Sequence, residues 1–258
     1  MKVVILAGGF GTRLREVTRA MPKPMVEIGG HPILWHIMKH YSVFGFNDFI
    51  ICLGYKGDMI RNYFLNYKWM NTDFKVELGT GNITAKDLLH NEKEWGVLLA
   101  ETGLKTGTGG RIKRIQKHIT NDTFLVTYGD SLSNVQIDRV IAHHNQMGLV
   151  ATMCAMRSSQ RFGVVKIDKG KVVKFEEKPK ISSEWINGGF YVFNRRIFDY
   201  LDDNCTFEQE PLTRLVADDQ LAVYQHEGIH RAMDTLQDMQ SLNAEWESGK
   251  APWKTWSD

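Results

Sequence analysis

The chain has little of what marks several common protein classes. Its three cysteines, Cys52, Cys154 and Cys205, are odd in number, far apart and outside any Cys-x-x-Cys pair. A disulfide framework and a structural zinc are therefore not expected. Only six prolines occur among 258 residues, and no proline-rich or serine-rich linker or internal repeat breaks the sequence. One elaborated domain over 1–258 is the simplest organisation. The apolar run at Val3 to Ala7 stops at Gly8-Gly9, short of a secretory core, and no stretch is long enough to cross a bilayer. A cytoplasmic protein without a membrane partner is the expectation, in which the sequons at Asn82, Asn121 and Asn204 carry no glycan. A formal net charge of +2 and the lack of a basic stripe interleaved with aromatics argue against a nucleic-acid partner.

What is present is an alternation of strand-like and helical patterns. Val3 to Ala7, Asp48 to Gly54, Phe124 to Tyr128 and Leu149 to Met156 read as buried strands. Between them, Ile33, Leu34, Ile37, Met38 and Tyr41 stripe one helix, Ile112, Ile115 and Ile119 another, and Val140 and Ile141 mark a third. This order predicts an α/β fold: an open, mostly parallel, Rossmann-like sheet with helices on both faces. Two regions interrupt it. Residues 66–106 read as an inserted hairpin region, with Phe74 to Leu78 and Gly96 to Glu101 flanking a polar stretch. Beyond Gly163 a small additional β meander is expected from Val164 to Asp168, Val172 to Phe175 and Gly189 to Phe193. Residues 205–258 form a C-terminal extension whose last helix begins near Asp234, with Asp234 reading as its N-cap. Trp246, Trp253 and Trp256 need cover, from the body of the protein or from a neighbouring subunit.

Chemistry concentrates at strand ends. Leu6-Ala7-Gly8-Gly9-Phe10-Gly11-Thr12-Arg13-Leu14 places glycines after the first strand, where backbone N–H groups can wrap phosphate oxygens. Arg13 and Lys23 would add charge for a triphosphate. No Gly-Lys-Ser/Thr follows, so this is not a Walker loop, and Leu14 replaces the third glycine of a dinucleotide fingerprint. Tyr128-Gly129-Asp130 ends another strand, where a carboxylate suits Mg²⁺ or simply caps a turn. Thr108-Gly109-Gly110-Arg111 opens a helix, whose N-terminus favours anions. Asn187-Gly188-Gly189 offers a close backbone approach and an amide, or merely a turn. The nine histidines form no metal-ligand pair with a nearby third ligand, and no Ser/His/Asp or Cys/His set appears.

Leu6 to Leu14 together with Pro22-Lys23-Pro24-Met25 resembles the signature of the sugar-nucleotide pyrophosphorylase family, and the resemblance covers essentially the whole chain. Five further strings resemble its cytidylyl-transferring branch: Pro24 to Gly30, Ile33 to Met38, Thr108 to Arg111, Glu208 to Leu212 and Gly249 to Trp256. The resemblance implies a fold of the nucleotidyltransferase type and a homo-oligomer. Its substrates would be CTP and a sugar 1-phosphate, with Mg²⁺ as cofactor. It further implies that Leu6, Ala7, Gly8, Gly9, Gly11, Thr12, Arg13, Lys23, Thr108, Gly110 and Arg111 meet the nucleotide. Asp130 and Asp234 would hold the metal, while Gly129, Glu177, Lys178, Asn187 and Gly188 would meet the sugar phosphate. Arg13, Lys23, Asp130 and Asp234 are thus the expected catalytic set. Two positions depart from the family pattern: Ser131 replaces a usual glycine, and His230-Arg231-Ala232 stands where tryptophan and proline are usual. The rivals are a different phosphorylated acceptor, or a binding module that kept the fold and lost catalysis.

Overall fold

A computed structural model describes residues 1–85, 92, 94–157, 164–168, 171–176 and 185–256. Seven strands form the central sheet: β1 (Lys2–Leu6), β2 (Asp48–Leu53), β3 (Gly96–Glu101), β4 (Thr123–Tyr128), β5 (Ala151–Arg157), β6 (Trp185–Asn194) and β7 (Leu221–His226). Their order across the sheet is β7-β5-β6-β4-β1-β2-β3, and all run parallel except β6. The longer helices are α1 (Ile33–Val43), α2 (Gly57–Met70), α3 (Thr108–Arg114), α4 (Ile137–Met147), α5 (Glu210–Ala217) and α6 (Leu236–Glu247). None of the helices of the described residues is long and apolar enough to span a membrane.

Successive side chains of a strand face opposite sides, so a strand covered on both faces must be apolar throughout. β1 meets that demand. Val3 and Ile5 enter one core with α1 and the C-terminal residues, while Val4 enters a second core with Ile112, Ile115 and Phe198. The alternation of elements predicted from sequence is therefore the observed one. The two interruptions differ in detail. Phe74–Glu77 pairs with Asn82–Ala85 in a short hairpin, and Gly96–Glu101 instead joins the central sheet beside β2. Likewise, among the described residues, Val164–Asp168 pairs with Lys171–Glu176 alone, whereas the run expected as the third meander strand is β6, deep in the sheet. Trp185–Asn194 is buried over most of its length, while Gly96–Glu101 is a largely exposed edge strand.

The C-terminal tryptophans pack on the body of the chain. Trp253 is buried against α1, Trp246 lies 4.7 Å from the His36 ring and Trp256 lies 5.8 Å from Trp35. Gly29 turns with φ 58°, and a Cβ there would strike the Trp246 indole at 1.9 Å. Only glycine serves that turn.

His36 and His40 are buried on α1 beneath this tail, and burial lowers their pKa values to about 4. His36 Nε2 donates to the Ile28 carbonyl at 2.8 Å, which fixes a neutral tautomer. Unfolded histidine titrates near 6.5, so below that pH the unfolded chain binds protons that the native one refuses. Their contribution is complete above pH 6.5 and declines as pH falls towards 4. Each of the two should remove about 1.4 kcal/mol of stability per pH unit in that window. Urea-unfolding curves recorded from pH 7 downward should show this loss well above the carboxylate range; a flat profile to pH 5 would contradict it.

Candidate active site

The C-terminal ends of β1 and β4 open onto a cleft of about 820 Å³, within the size range of small-molecule sites. One wall is the glycine loop after β1. Gly11 adopts φ 61°, and the Gly8 carbonyl is turned inward to accept from the Tyr55 N–H at 3.2 Å. Leu6, Ala7, Gly8, Gly9, Gly11, Thr12 and Arg13 all line the cleft on this side. Arg111 backs this loop and Thr108 also lines the cleft, with Asn187 and Gly188 on β6 contributing further lining.

The floor carries the charges. Gly129 follows β4, and its N–H bonds the Leu6 carbonyl at 3.1 Å, tying the two strand ends together. Beyond it Ser131–Ser133 pairs antiparallel with His230–Ala232, Ala232 lying opposite Ser131. The Met233 N–H then donates to the Asp130 carbonyl at 3.0 Å. This small ladder brings Asp130 and Asp234 together from positions far apart in the chain. Their carboxylates meet on Lys23, whose Nζ lies 2.7 Å from Asp130 Oδ2 and 2.8 Å from Asp234 Oδ1. Arg13 reaches the other Asp234 oxygen at 2.6 Å.

Asp234 is not the cap of α6. Thr235 is the N-cap: its hydroxyl accepts from the Asp238 N–H, and the Asp238 carboxylate accepts from the Thr235 N–H. The reciprocal box satisfies the helix end one residue later than the sequence suggested.

Arg111 is buried on α3, and its guanidinium is engaged by protein oxygens. It donates to the carbonyls of Leu53, Gly103 and Gly8 and to the Thr102 hydroxyl, each within 2.9 Å. It binds the loops that build the cleft wall. Gly8 and Gly54 leave room for it, since a Cβ at either would fall within 2.6 Å of the guanidinium. Gly110 does not line the cleft. Its N–H donates to the Cys205 carbonyl, and a Cβ there would meet the Asp203 carbonyl at 2.5 Å. Glu177 and Lys178 lie outside the described residues.

Several cleft residues carried no role in the sequence reading. Ser131 and His230, at the positions that depart from the family pattern, both line it. Ser131 Oγ and His230 Nδ1 are buried without a hydrogen-bond partner among the described residues. Glu208 enters from the segment before α5 and accepts from the Tyr128 hydroxyl and, at 2.6 Å, from Thr108. Burial, with Tyr191 and Glu208 beside it, pushes the Tyr128 pKa up, so its hydroxyl remains a donor. Glu208 was visible only as part of a resembling string; nothing local in sequence places it beside the end of β4.

Two carboxylates whose oxygens meet at one positive charge are a hard-oxygen donor set of the kind a divalent cation uses. No group of three or more His, Cys, Asp or Glu suited to a metal occurs among the described residues. The remaining ligands would be water and phosphate oxygens, as Mg²⁺ prefers.

Comparisons with known proteins follow the same line. The family model described as "Nucleotidyl transferase" matches residues 2–258. Glucose-1-phosphate cytidylyltransferase of Salmonella typhi is 48% identical over 259 residues, spanning 99% of this chain and 100% of that protein. A probable glucose-1-phosphate cytidylyltransferase of Bacillus subtilis is 43% identical over 258 residues, with 99% and 100% covered. Among solved structures, HddC from Yersinia pseudotuberculosis complexed with GMP-PN superposes with a TM-score of 0.70 at 25% identity, covering 95% of this chain and 99% of that one.

The Arg111 bonds make a stability prediction. Arg111→Met keeps much of the stem but removes charge-assisted bonds to the carbonyls of Gly8, Leu53 and Gly103; Gly8 keeps the Tyr55 N–H and Leu53 keeps Thr102, while Gly103 loses its donor, which should cost about 3 kcal/mol. Urea denaturation measures it, and a loss below about 1 kcal/mol would show that the loops hold without the guanidinium.

Proposed function

We propose that this chain, which belongs to the nucleotidyl transferase family, makes CDP-glucose and pyrophosphate from CTP and glucose 1-phosphate. The observation that carries the reading is the meeting of Asp130, Asp234, Lys23 and Arg13 at the floor of the cleft, beside the glycine loop. Base and acceptor come from full-length relatives named for that reaction.

The sugar phosphate has a second pKa near 6, about that of a phosphoserine, so its oxygen is ionised at neutral pH and needs no general base. This suits a cleft in which Ser131 and His230 form no hydrogen-bonded relay with an aspartate: Ser131 Oγ and His230 Nδ1 have no partner among the described residues. In-line attack on the α-phosphorus forms the new P–O bond as the bond to pyrophosphate breaks. The problem for the protein is to hold two polyanions together, by charge and by position. The glycine-loop N–H groups and Thr12 receive triphosphate oxygens, and Arg13 and Lys23 turn from the aspartates to the phosphates. Asp130 and Asp234 would hold Mg²⁺, which neutralises charge at the α-phosphate when bound. Gly129, Asn187 and Gly188 line the acceptor side, and Lys178 with Glu177 would grip the sugar phosphate. Thr108 faces the nucleotide, and Gly110 and Arg111 support that wall from behind.

A second reading keeps the reaction and changes the acceptor. It is favoured by Ser131 and His230, whose buried unpartnered atoms sit where the chain leaves the family pattern.

The test is a pyrophosphate-release assay with Mg²⁺, crossing CTP, UTP, dTTP and ATP against a panel of phosphorylated acceptors. Fastest turnover is expected with CTP and glucose 1-phosphate. CTP turnover only with another acceptor would select the second reading, and no release from any pair would leave a binding module. Asp234→Asn should lower kcat on the order of 100-fold or more; near-normal turnover would remove the metal assignment.

A further inference from the structure

A chain of hydrogen bonds runs along one wall of the cleft, and its direction is fixed from both ends. At one end the Gly189 N–H donates to Asn187 Oδ1 at 2.9 Å, so the amide nitrogen must face Tyr191. Asn187 Nδ2 donates to the Tyr191 hydroxyl. The Tyr191 oxygen lies 3.1 Å from that of Tyr128, and Tyr128 in turn bonds Glu208. An ionised carboxylate only accepts, so the Tyr128 proton points to Glu208 and the Tyr191 proton must point to Tyr128. The order is therefore Asn187 to Tyr191 to Tyr128 to Glu208, with every member donating the same way. Gly189 makes the contact sterically possible: at φ 75°, its absent Cβ would lie 2.3 Å from the Tyr128 ring.

A carboxylate in a cleft for polyanions is electrostatically unfavourable for ligand binding, and Glu208 lines this one. A group that cannot donate is what the end of such a chain needs. We propose that Glu208 is a positioning residue for the acceptor: through Tyr128 and Tyr191 it holds the Asn187 amide so that its second N–H points at an acceptor oxygen of the sugar phosphate. This rests on the reading of the cleft as a nucleotidyl-transfer site. Asn187 then selects ligands with a hydroxyl or phosphate oxygen at that point, and Glu208 acts without touching substrate.

Steady-state kinetics of Tyr191→Phe, Glu208→Leu and Glu208→Gln separate this from simpler roles. Tyr191→Phe and Glu208→Leu should raise KM for the sugar 1-phosphate about tenfold. Under the same conditions kcat and KM for CTP should stay within about twofold. Glu208→Gln should return the acceptor KM close to wild type, because its amide oxygen can still accept from Tyr128. If Glu208 acted only as a charge, Leu and Gln would both lower the two KM values by removing repulsion; that result overturns the proposal. So does a general rise in both KM values, or no change. If the wild-type protein turns over no acceptor, the reading of the cleft fails, and the chain is then judged on isotope-labelled asparagine alone. The Asn187 side-chain amide resonances should move in Tyr191→Phe and Glu208→Leu and stay in Glu208→Gln. Resonances that do not move in the first two would overturn it.

Discussion

An ammonium group held between two carboxylates organises this molecule. Lys23 is largely buried, and so is Asp234. Taking such charges from water costs several kcal/mol per ion, which is offset only where the partners sit at contact distance. Lys23 has both partners within 2.8 Å, and Arg13 gives Asp234 a second. Meeting that condition requires three distant segments to converge: the loop before α1, the end of β4 and the strand before α6. The Ser131–Ser133 and His230–Ala232 ladder holds two of them in register, and the capping box at Thr235 closes the end of α6 without the Asp234 side chain. The same charges are those the proposed reaction needs. The cations pair with the aspartates, and a triphosphate with its metal would offer each a new partner.

Around that cluster the walls are set by two different devices. On the nucleotide side Arg111 gathers the carbonyl groups of Gly8, Leu53 and Gly103, so a single buried guanidinium draws three separate stretches of backbone together. On the acceptor side the shaping is done by side chains in series, from Asn187 to Glu208. Glu208 joins the two walls, since its second oxygen accepts from Thr108 at the start of α3.

The sheet was legible because its signal is local. Val3 to Ala7, Phe49 to Leu53 and Phe124 to Val126 are apolar without interruption, as strands with two covered faces must be. The glycine loop and Asp130 were legible for the same reason: each stands at the end of such a strand. What sequence did not reveal is what depends on distant partners. Gly96–Glu101 was assigned to a hairpin because nothing within it says that β2 is its neighbour. Asp234 read as a helix cap since Asp and Thr are both good caps, and the choice is made by Asp238 and by the pull of Lys23. Arg111 looked like a ligand contact because an arginine after glycines suits an anion. The carbonyls that engage its two terminal nitrogens become apparent only with the folded loops around it. Nothing local in sequence marks Tyr128, Tyr191 and Glu208 as hydrogen-bond partners.

The central claim is that Lys23 and the two aspartates are one electrostatic unit and not separate ligand contacts. A double-mutant cycle in urea unfolding, with Lys23→Met and Asp234→Asn singly and together, tests it most directly. Each single change should leave a buried charge with one partner fewer, and the pair should be less harmful than the sum, with a coupling of about 2 kcal/mol. Additive losses, with a coupling below about 0.5 kcal/mol, would contradict the account.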